Sequence, residues 1–258
     1  MGVALGVARN SFSLAPSGQE FIIELDAQYG SGSTWTDNSG SGLNATLTST
    51  TVAGSGATKY VDVDGSADYA QVDVGTAFDS LSAFTIECVF RADAVQHAYP
   101  RFNFNQSNEF GFRMVTTQAT TGWNAWVFNF NGTNYSLDDR TQSSSNSAYS
   151  YTSNTKVYCA ATYDGTTLKS YFGKGSSVTN VSTTTVAESD RGVLNASYKS
   201  DKNLVFGRET NYNPTRYQDS RFYYWSIKGS ASSASEISDR FSTFDSRFSL
   251  WHVKNTIV

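Results

Sequence analysis

The chain has 258 residues with 19 basic and 23 acidic side chains, and its formal net charge of −4 excludes a nucleic-acid-binding surface, which needs clustered basic residues. Charged residues make up only 16% of the sequence while aromatics reach 14%, a balance suited to aromatic strands joined by neutral polar loops and unsuited to a helical bundle. The length fits one large all-β domain with a sizeable core.

Residues 1–20 open with MGVALGVARNSFSL. The apolar run has no basic stretch ahead of it and is too short for a signal peptide or a membrane span, so membrane insertion is not expected. The segment, uncharged but for Arg9 in its first part, reads as an arm for docking to a partner. Without a secretory signal, the Asn-x-Ser/Thr triplets at Asn44, Asn131, Asn180 and Asn195 read as chance in a Ser/Thr-rich chain.

The first strand is FIIELDA, followed by the loop YGSGSTWTDNSGSGLN and a short strand, ATLTST. KYVDVDG and ADYAQVDVG are expected to form a hairpin through Asp64-Gly65. SAFTIECVFRA places Phe84, Ile86, Cys88 and Phe90 on one face and Thr85, Glu87 and Val89 on the other. RFNFN, EFGFRMVT and NAWVFNFNG read as three more strands, and residues 141–154 as a polar loop. KVYCAATYDGTTLKSYFGKG is a hairpin about Asp164-Gly165, and after a long loop come NLVFGRE and RFYYWSIKG. Only SASEISDRFSTFDSRFSLW has a helical period. It puts Ile237, Phe241, Phe244 and Phe248 on one face, behind a capping box of Ser233 and Glu236. No linker or internal repeat divides the chain. The division expected is an arm over 1–20, a sandwich over 21–232, and a helix and tail over 233–258 packed on the sandwich or on a partner.

Cys88 and Cys159 lie in core strands and read as buried free thiols; a disulfide would require those strands to be neighbours. With only His97 and His252, there is no zinc spacing and no base for a serine nucleophile.

The ordered motifs resemble the concanavalin A-like superfamily, in particular laminin-G-like jelly rolls. LDAQYGSGSTWTDNSGSGLNATLTS resembles their opening, YVDVDGSADYAQV their Asp-Gly-x-x-Asp-Tyr segment, SAFTIECVF their Phe-Thr-Ile strand, and YCAATYDGTTLKSYFGKG their central hairpin. LVFGRE and RFYYWSIKGSASSASEI resemble the closing strands, although DSRFYYW stands where Gly-x-Ile-x-Asp is usual. GSGSTWTDNSG and EISDRFSTFDSRF are similar to the variety found in tailed-bacteriophage virion proteins. The resemblance implies an all-β jelly-roll sandwich of two antiparallel sheets with a short C-terminal helix. It also implies a structural protein on the virion surface: a capsid decoration, fibre or tail appendage. Such a protein would be present in many copies or as a homo-oligomer beside other virion proteins.

Glu24 and Asp26 share a strand face, and residue 28 is expected to share it too. The superfamily's laminarinase-type glucanases carry Glu-x-Asp-x-Glu there, but Gln28 replaces the second acid, and an amide cannot act as acid or base. Glu24 and Asp26 are therefore expected to be polar outward positions, with no catalytic residue and no enzyme activity. For hydroxyl recognition the candidates are Trp123 together with Asn211, Tyr212, Asn213, Arg216 and Tyr217 of the loop RETNYNPTRYQD, with a host surface glycan as the expected ligand. Asp62, Asp64 and Asp68 suit calcium by type, yet they read as ordinary hairpin polar residues. No cofactor is expected, and calcium is left without an assigned site. A stand-alone lectin-like module and a glycoside hydrolase are the alternatives.

Overall fold

The computed structural model describes residues 20–79, 81–93, 100–104, 110–116, 124–131, 133–138, 154–174, 177–191, 202–208 and 217–250. In chain order the strands are β1 (Phe21–Asp26), β2 (Thr34–Trp35), β3 (Ala45–Thr48), β4 (Val52–Ala53), β5 (Tyr60–Asp64) and β6 (Tyr69–Asp73). They continue with β7 (Phe84–Ala92), β8 (Pro100–Phe104), β9 (Phe110–Thr116), β10 (Asn124–Phe130) and β11 (Thr133–Asp138). The last are β12 (Lys156–Tyr163), β13 (Thr167–Lys174), β14 (Ser177–Thr185), β15 (Asn203–Phe206) and β16 (Asp219–Lys228), ahead of helix α1 (Ala234–Phe248).

These strands make two antiparallel sheets, as a jelly-roll sandwich requires. The back sheet runs β14-β13-β12-β7-β16-β5-β4, and β1 pairs with the half of β16 that β5 leaves open. The front sheet runs β11-β10-β9-β8-β15-β6-β3-β2. Period-2 alternation turns one face of each sheet inward, and aromatics fill the space between. Trp35, Phe84, Phe90, Phe102 and Trp225 are wholly buried. The Phe102 ring centroid lies 5.4 Å from that of Trp126 and 5.9 Å from that of Trp225. Each such ring contributes about 2–3 kcal/mol of transfer free energy, so the high aromatic content is spent on the inter-sheet core.

Two expectations fail at the level of topology. The segments around Asp64-Gly65 are not a hairpin. β5 pairs with β16 and β4 in the back sheet, whereas β6 pairs with β15 and β3 in the front sheet. The local turn chemistry is nevertheless as read: Asp64 Oδ1 accepts from the Ser66 amide at 2.8 Å, and Gly65 has φ 74°. A Cβ on Gly65 would sit 3.1 Å from the Asp219 backbone nitrogen, so the turn carries the chain past β16 and into the other sheet. Turn chemistry fixes a reversal but not which sheet receives the second strand. The long loop expected before NLVFGRE also contains β14, nine residues of Ser, Thr, Asn and Val. Its low hydrophobicity concealed it.

Several other local readings hold; the arm, but for Glu20, and the polar loop over 141–154, but for Asn154, lie outside the described residues. β12 and β13 form the hairpin about Asp164-Gly165, with Asp164 Oδ1 accepting from Thr166 and Thr167 amides at 2.9 and 2.7 Å. α1 begins with the Ser233/Glu236 capping box and buries Ile237, Phe241, Phe244 and Phe248. This stripe packs on the outer face of the back sheet against Val89, Tyr158, Tyr171, Tyr223 and Tyr224. Phe241 reaches the sheet because Gly173 lies beneath it; a Cβ there would be 2.3 Å from the ring. Trp126 is core, and Cys88 and Cys159 are buried free thiols standing opposite each other on β7 and β12. No helix among the described residues is long and apolar enough to cross a membrane.

Candidate functional site

The acids of the first strand sit on the outer face of the back sheet, but they are not solvent-facing, which corrects the sequence reading. Glu24 keeps 6% of its surface and Asp26 2%, because α1 lies over them. Register puts Glu24 of β1, Ser226 of β16 and Glu87 of β7 in one cross-strand row. A bulge between Phe222 and Tyr224 turns Tyr223 and Tyr224 both toward the helix. The Tyr224 hydroxyl donates to Glu24 Oε1 at 2.9 Å and accepts from Arg240 Nη2 at 2.5 Å. Arg240 Nε donates to Glu87 Oε2 at 3.0 Å, and the Tyr158 hydroxyl to Glu87 Oε1 at 2.7 Å. Arg247 grips Asp26 through both carboxylate oxygens, at 2.5 and 2.6 Å. Gln28 leaves this row altogether: Asp26 caps a 3-10 turn over Ala27–Tyr29 by accepting from the Gln28 amide.

Burial raises the Glu24 carboxyl above its ordinary value, against the lowering effect of the Tyr224 hydrogen bond. Burial likewise pushes the Tyr158 and Tyr224 phenols well up. Glu24 and Glu87 are two strand spacings apart, about 9–10 Å between backbones, and the helix covers both. The sequence did not reveal Glu87, Arg240 or Arg247 as members of one cluster. Only the pairing of β1 and β7 with β16 assembles them, although the period placing Arg240 and Arg247 seven residues apart on one helix face was visible.

The front sheet presents the opposite chemistry. A single cross-strand row runs Thr46, Gln71, Val205, Asn103, Arg113, Val127 and Ser136 across seven strands. Gln71 Nε2 donates to Asn203 Oδ1 at 2.9 Å, and Asn129 Nδ2 to Asn134 Oδ1 at 3.1 Å. The Arg208 guanidinium lies 3.9 Å over the Tyr69 ring. Val205 and Asn103 are buried at the centre, where Asn103 Nδ2 donates to the Arg208 carbonyl at 2.6 Å. Gln71, Arg113, Asn129 and Asn203 around them are half-buried. Amides, guanidinium groups and a phenol on one face are donors and acceptors suited to hydroxyls and carboxylates of a sugar.

Of the candidate ligand residues, Trp123, Asn211, Tyr212, Asn213 and Arg216 lie outside the described residues. Tyr217 is half-buried and forms a backbone bridge with Arg208. The two ends of the loop RETNYNPTRYQD therefore meet at the edge of this amide-bearing face. The residues missed from sequence are Gln71, Asn103, Arg113, Asn129 and Asn203. Register alone brings Gln71, Asn103 and Arg113 into one row, with Asn129 and Asn203 two residues along their strands on the same face.

A shallow cleft of about 540 Å³ lies where the two sheets meet, lined by Ser33, Ser49, Thr50, Asp62, Asp64 and Asp68 among others. Two of its three carboxylates are committed. Asp62 accepts from Arg221 Nε at 3.1 Å, and Asp64 from Ser66. Burial, then repulsion from Asp64, raises the Asp68 carboxyl. No group of three or more His, Cys, Asp or Glu among the described residues could hold a metal ion.

No protein-family model and no curated protein sequence matches the chain. Solved structures do. The binding domain of Paraclostridial Mosquitocidal Protein 1 matches with a TM-score of 0.65 at 16% identity, over 87% of this chain and 52% of that one. The botulinum neurotoxin type C structure, described as dependent for cell entry on two ganglioside molecules, gives a TM-score of 0.59 at 12% identity, over 87% of this chain and 51% of that one. The serotype D ligand-binding domain in complex with N-acetylneuraminic acid gives 0.59 at 14% identity, again over 87% and 51%. The chain thus spans about half the length of these neighbours. At such identities the likeness shows the fold, a lectin-like jelly-roll sandwich.

Proposed function

We propose that the protein is a non-enzymatic, lectin-like binding module carried in many copies on the surface of a tailed-bacteriophage particle, where the outer face of the front sheet contacts host surface glycans. One observation carries the binding half of this reading: Gln71, Arg113, Asn129 and Asn203 stand half-buried on the outer face of the front sheet, opposite a back sheet whose acids are engaged by Tyr158, Tyr224, Arg240 and Arg247. An acid or base must reach the atom whose proton it transfers; Glu24 is shut beneath α1, and Glu87, which borders a cleft of about 180 Å³ beside the helix, has its two oxygens held by Tyr158 and Arg240. The neighbour that carries N-acetylneuraminic acid shares the fold and adds support for a sugar ligand. The particle location rests on the likeness of GSGSTWTDNSG and EISDRFSTFDSRF to virion proteins. Many copies on one particle make weak single sites sufficient.

The test is a glycan array probed with the whole chain, beside Gln71→Ala and Arg113→Ala variants. Binding that each substitution weakens about tenfold is the expected result. An array with no hits, or hits indifferent to both substitutions, overturns the assignment of the face. Release of reducing ends from any bound polysaccharide, lost on Glu87→Gln, overturns the non-enzymatic reading. Antibody labelling of particles tests the location.

A further inference from the structure

Antiparallel sandwiches must deal with four sheet edges, because an edge strand presents unpaired amides and carbonyls to any passing chain. Of the four terminal edges three are guarded, and the free side of β1, which lies off this path, is met by the Leu25–Asp37 bridge and by the Asn38 amide donating to the Glu24 carbonyl at 2.7 Å. β4 and β2 are two residues long, too short to template a partner. β11 is tied down: the Tyr135 hydroxyl donates to Asp190 Oδ2 at 2.6 Å and accepts from the Ala187 amide at 3.0 Å, and the strand ends in the acid Asp138.

The fourth edge is different. β14 runs nine residues as SVTNVSTTT, with no charge, no proline and no glycine. Among the described residues, only β13 pairs with it. Val178 packs toward the α1 cluster and Val181 into the inter-sheet core, while Asn180, Thr183 and Thr185 are exposed. Val and Thr are strong strand formers, so this edge is β-prone and lacks the charges by which natural edges repel one another; a bulge at Val181 leaves residues 182–185 as the regular run open to a partner.

We propose that β14 is a subunit interface, pairing antiparallel with β14 of a second copy about a two-fold axis and joining two back sheets into one. The occupant follows from the strand's own chemistry. An uncharged strand offers no complementarity to a charged peptide. In any central antiparallel self-register, its residues set Ser, Thr, Asn and Val against one another, and cross-strand Thr pairs are favourable. A two-fold contact also closes on itself, consuming both edges without exposing a third. The inference does not rest on the glycan reading, because β14 lies in the back sheet and supplies none of the front-sheet row.

Sedimentation of the full chain across a concentration series tests it, together with hydrogen exchange at β14. The parent should shift from one to two copies with rising concentration, with β14 amides gaining protection in step. Thr183→Lys/Thr185→Lys alters two exposed side chains, so it should keep the parent melting temperature yet weaken dimerisation about 100-fold or more. Thr183→Cys under mild oxidation should link two copies through the introduced thiols, since both native thiols are buried. A parent that stays monomeric at roughly 100 µM overturns the proposal. So does a double-Lys variant that dimerises like the parent, or a dimer whose β14 amides are no better protected than the monomer's.

Discussion

The outer faces of the two sheets began with the same alternating pattern and ended with opposite chemistry. On the back sheet the outward residues of β1, β7, β12 and β16 include two glutamates, one aspartate and three tyrosines, all sealed under a single helix. On the front sheet the outward residues of β6, β8, β9, β10 and β15 include four amides and an arginine beside Val127 and Val205, half-open at the flanks. A helix that brings both a phenylalanine stripe and two arginines converts a polar sheet face into a second core. The lesson is that an acid on a strand is uninformative until the layer above it is known.

This contrast can be broken from either side, beginning with the helix. Phe244 packs 4.6 Å from Tyr224, ring to ring, and Phe244→Ala should cost about 3–5 kcal/mol, read as a lower urea midpoint. Arg240→Met leaves the buried Glu87 carboxylate without its cation and should cost about 2–4 kcal/mol. Adding Glu87→Gln to it should restore a good part of that loss, because the stranded charge goes with it.

Glu24→Gln should stay within about 1 kcal/mol of the parent at neutral pH, since an amide oxygen still accepts from Tyr224. Its signature is in the pH dependence. The folded-state carboxyl is raised from 4.5, so it supplies stability below that value, which is lost as pH climbs through the folded value. The difference in unfolding free energy between parent and variant should therefore drift across that window and be flat above it. Smallest of all in stability, Arg113→Ala on the half-buried face should shift the melting free energy by only about 0.5 kcal/mol. Its effect should appear in glycan retention, about tenfold weaker, which back-sheet substitutions that keep the fold leave alone.

The sequence made the strands of strong alternation legible, and the helix to the residue: Ile237, Phe241, Phe244 and Phe248 are the four it buries. It misled where local signals must be joined over distance. Asp64-Gly65 turns the chain as its chemistry dictates, but the partner strands on either side belong to different sheets. Glu24 looked like an outward polar residue because its cover arrives some 200 positions later, with Tyr224. The front-sheet row was hidden for the same reason, each member lying in a separate strand whose register no single stretch encodes.

The pairing of β1 with β16 has a kinetic corollary. The first strand finds its sheet partner about 200 residues downstream, and Asp26 meets Arg247 across 221. On a ribosome, β1 must wait unpaired until almost everything described here has emerged, so it cannot seed the sandwich and closes it instead. Folding should be slow for the size of the domain, and a nascent chain stalled before β16 should remain protease-sensitive over β1.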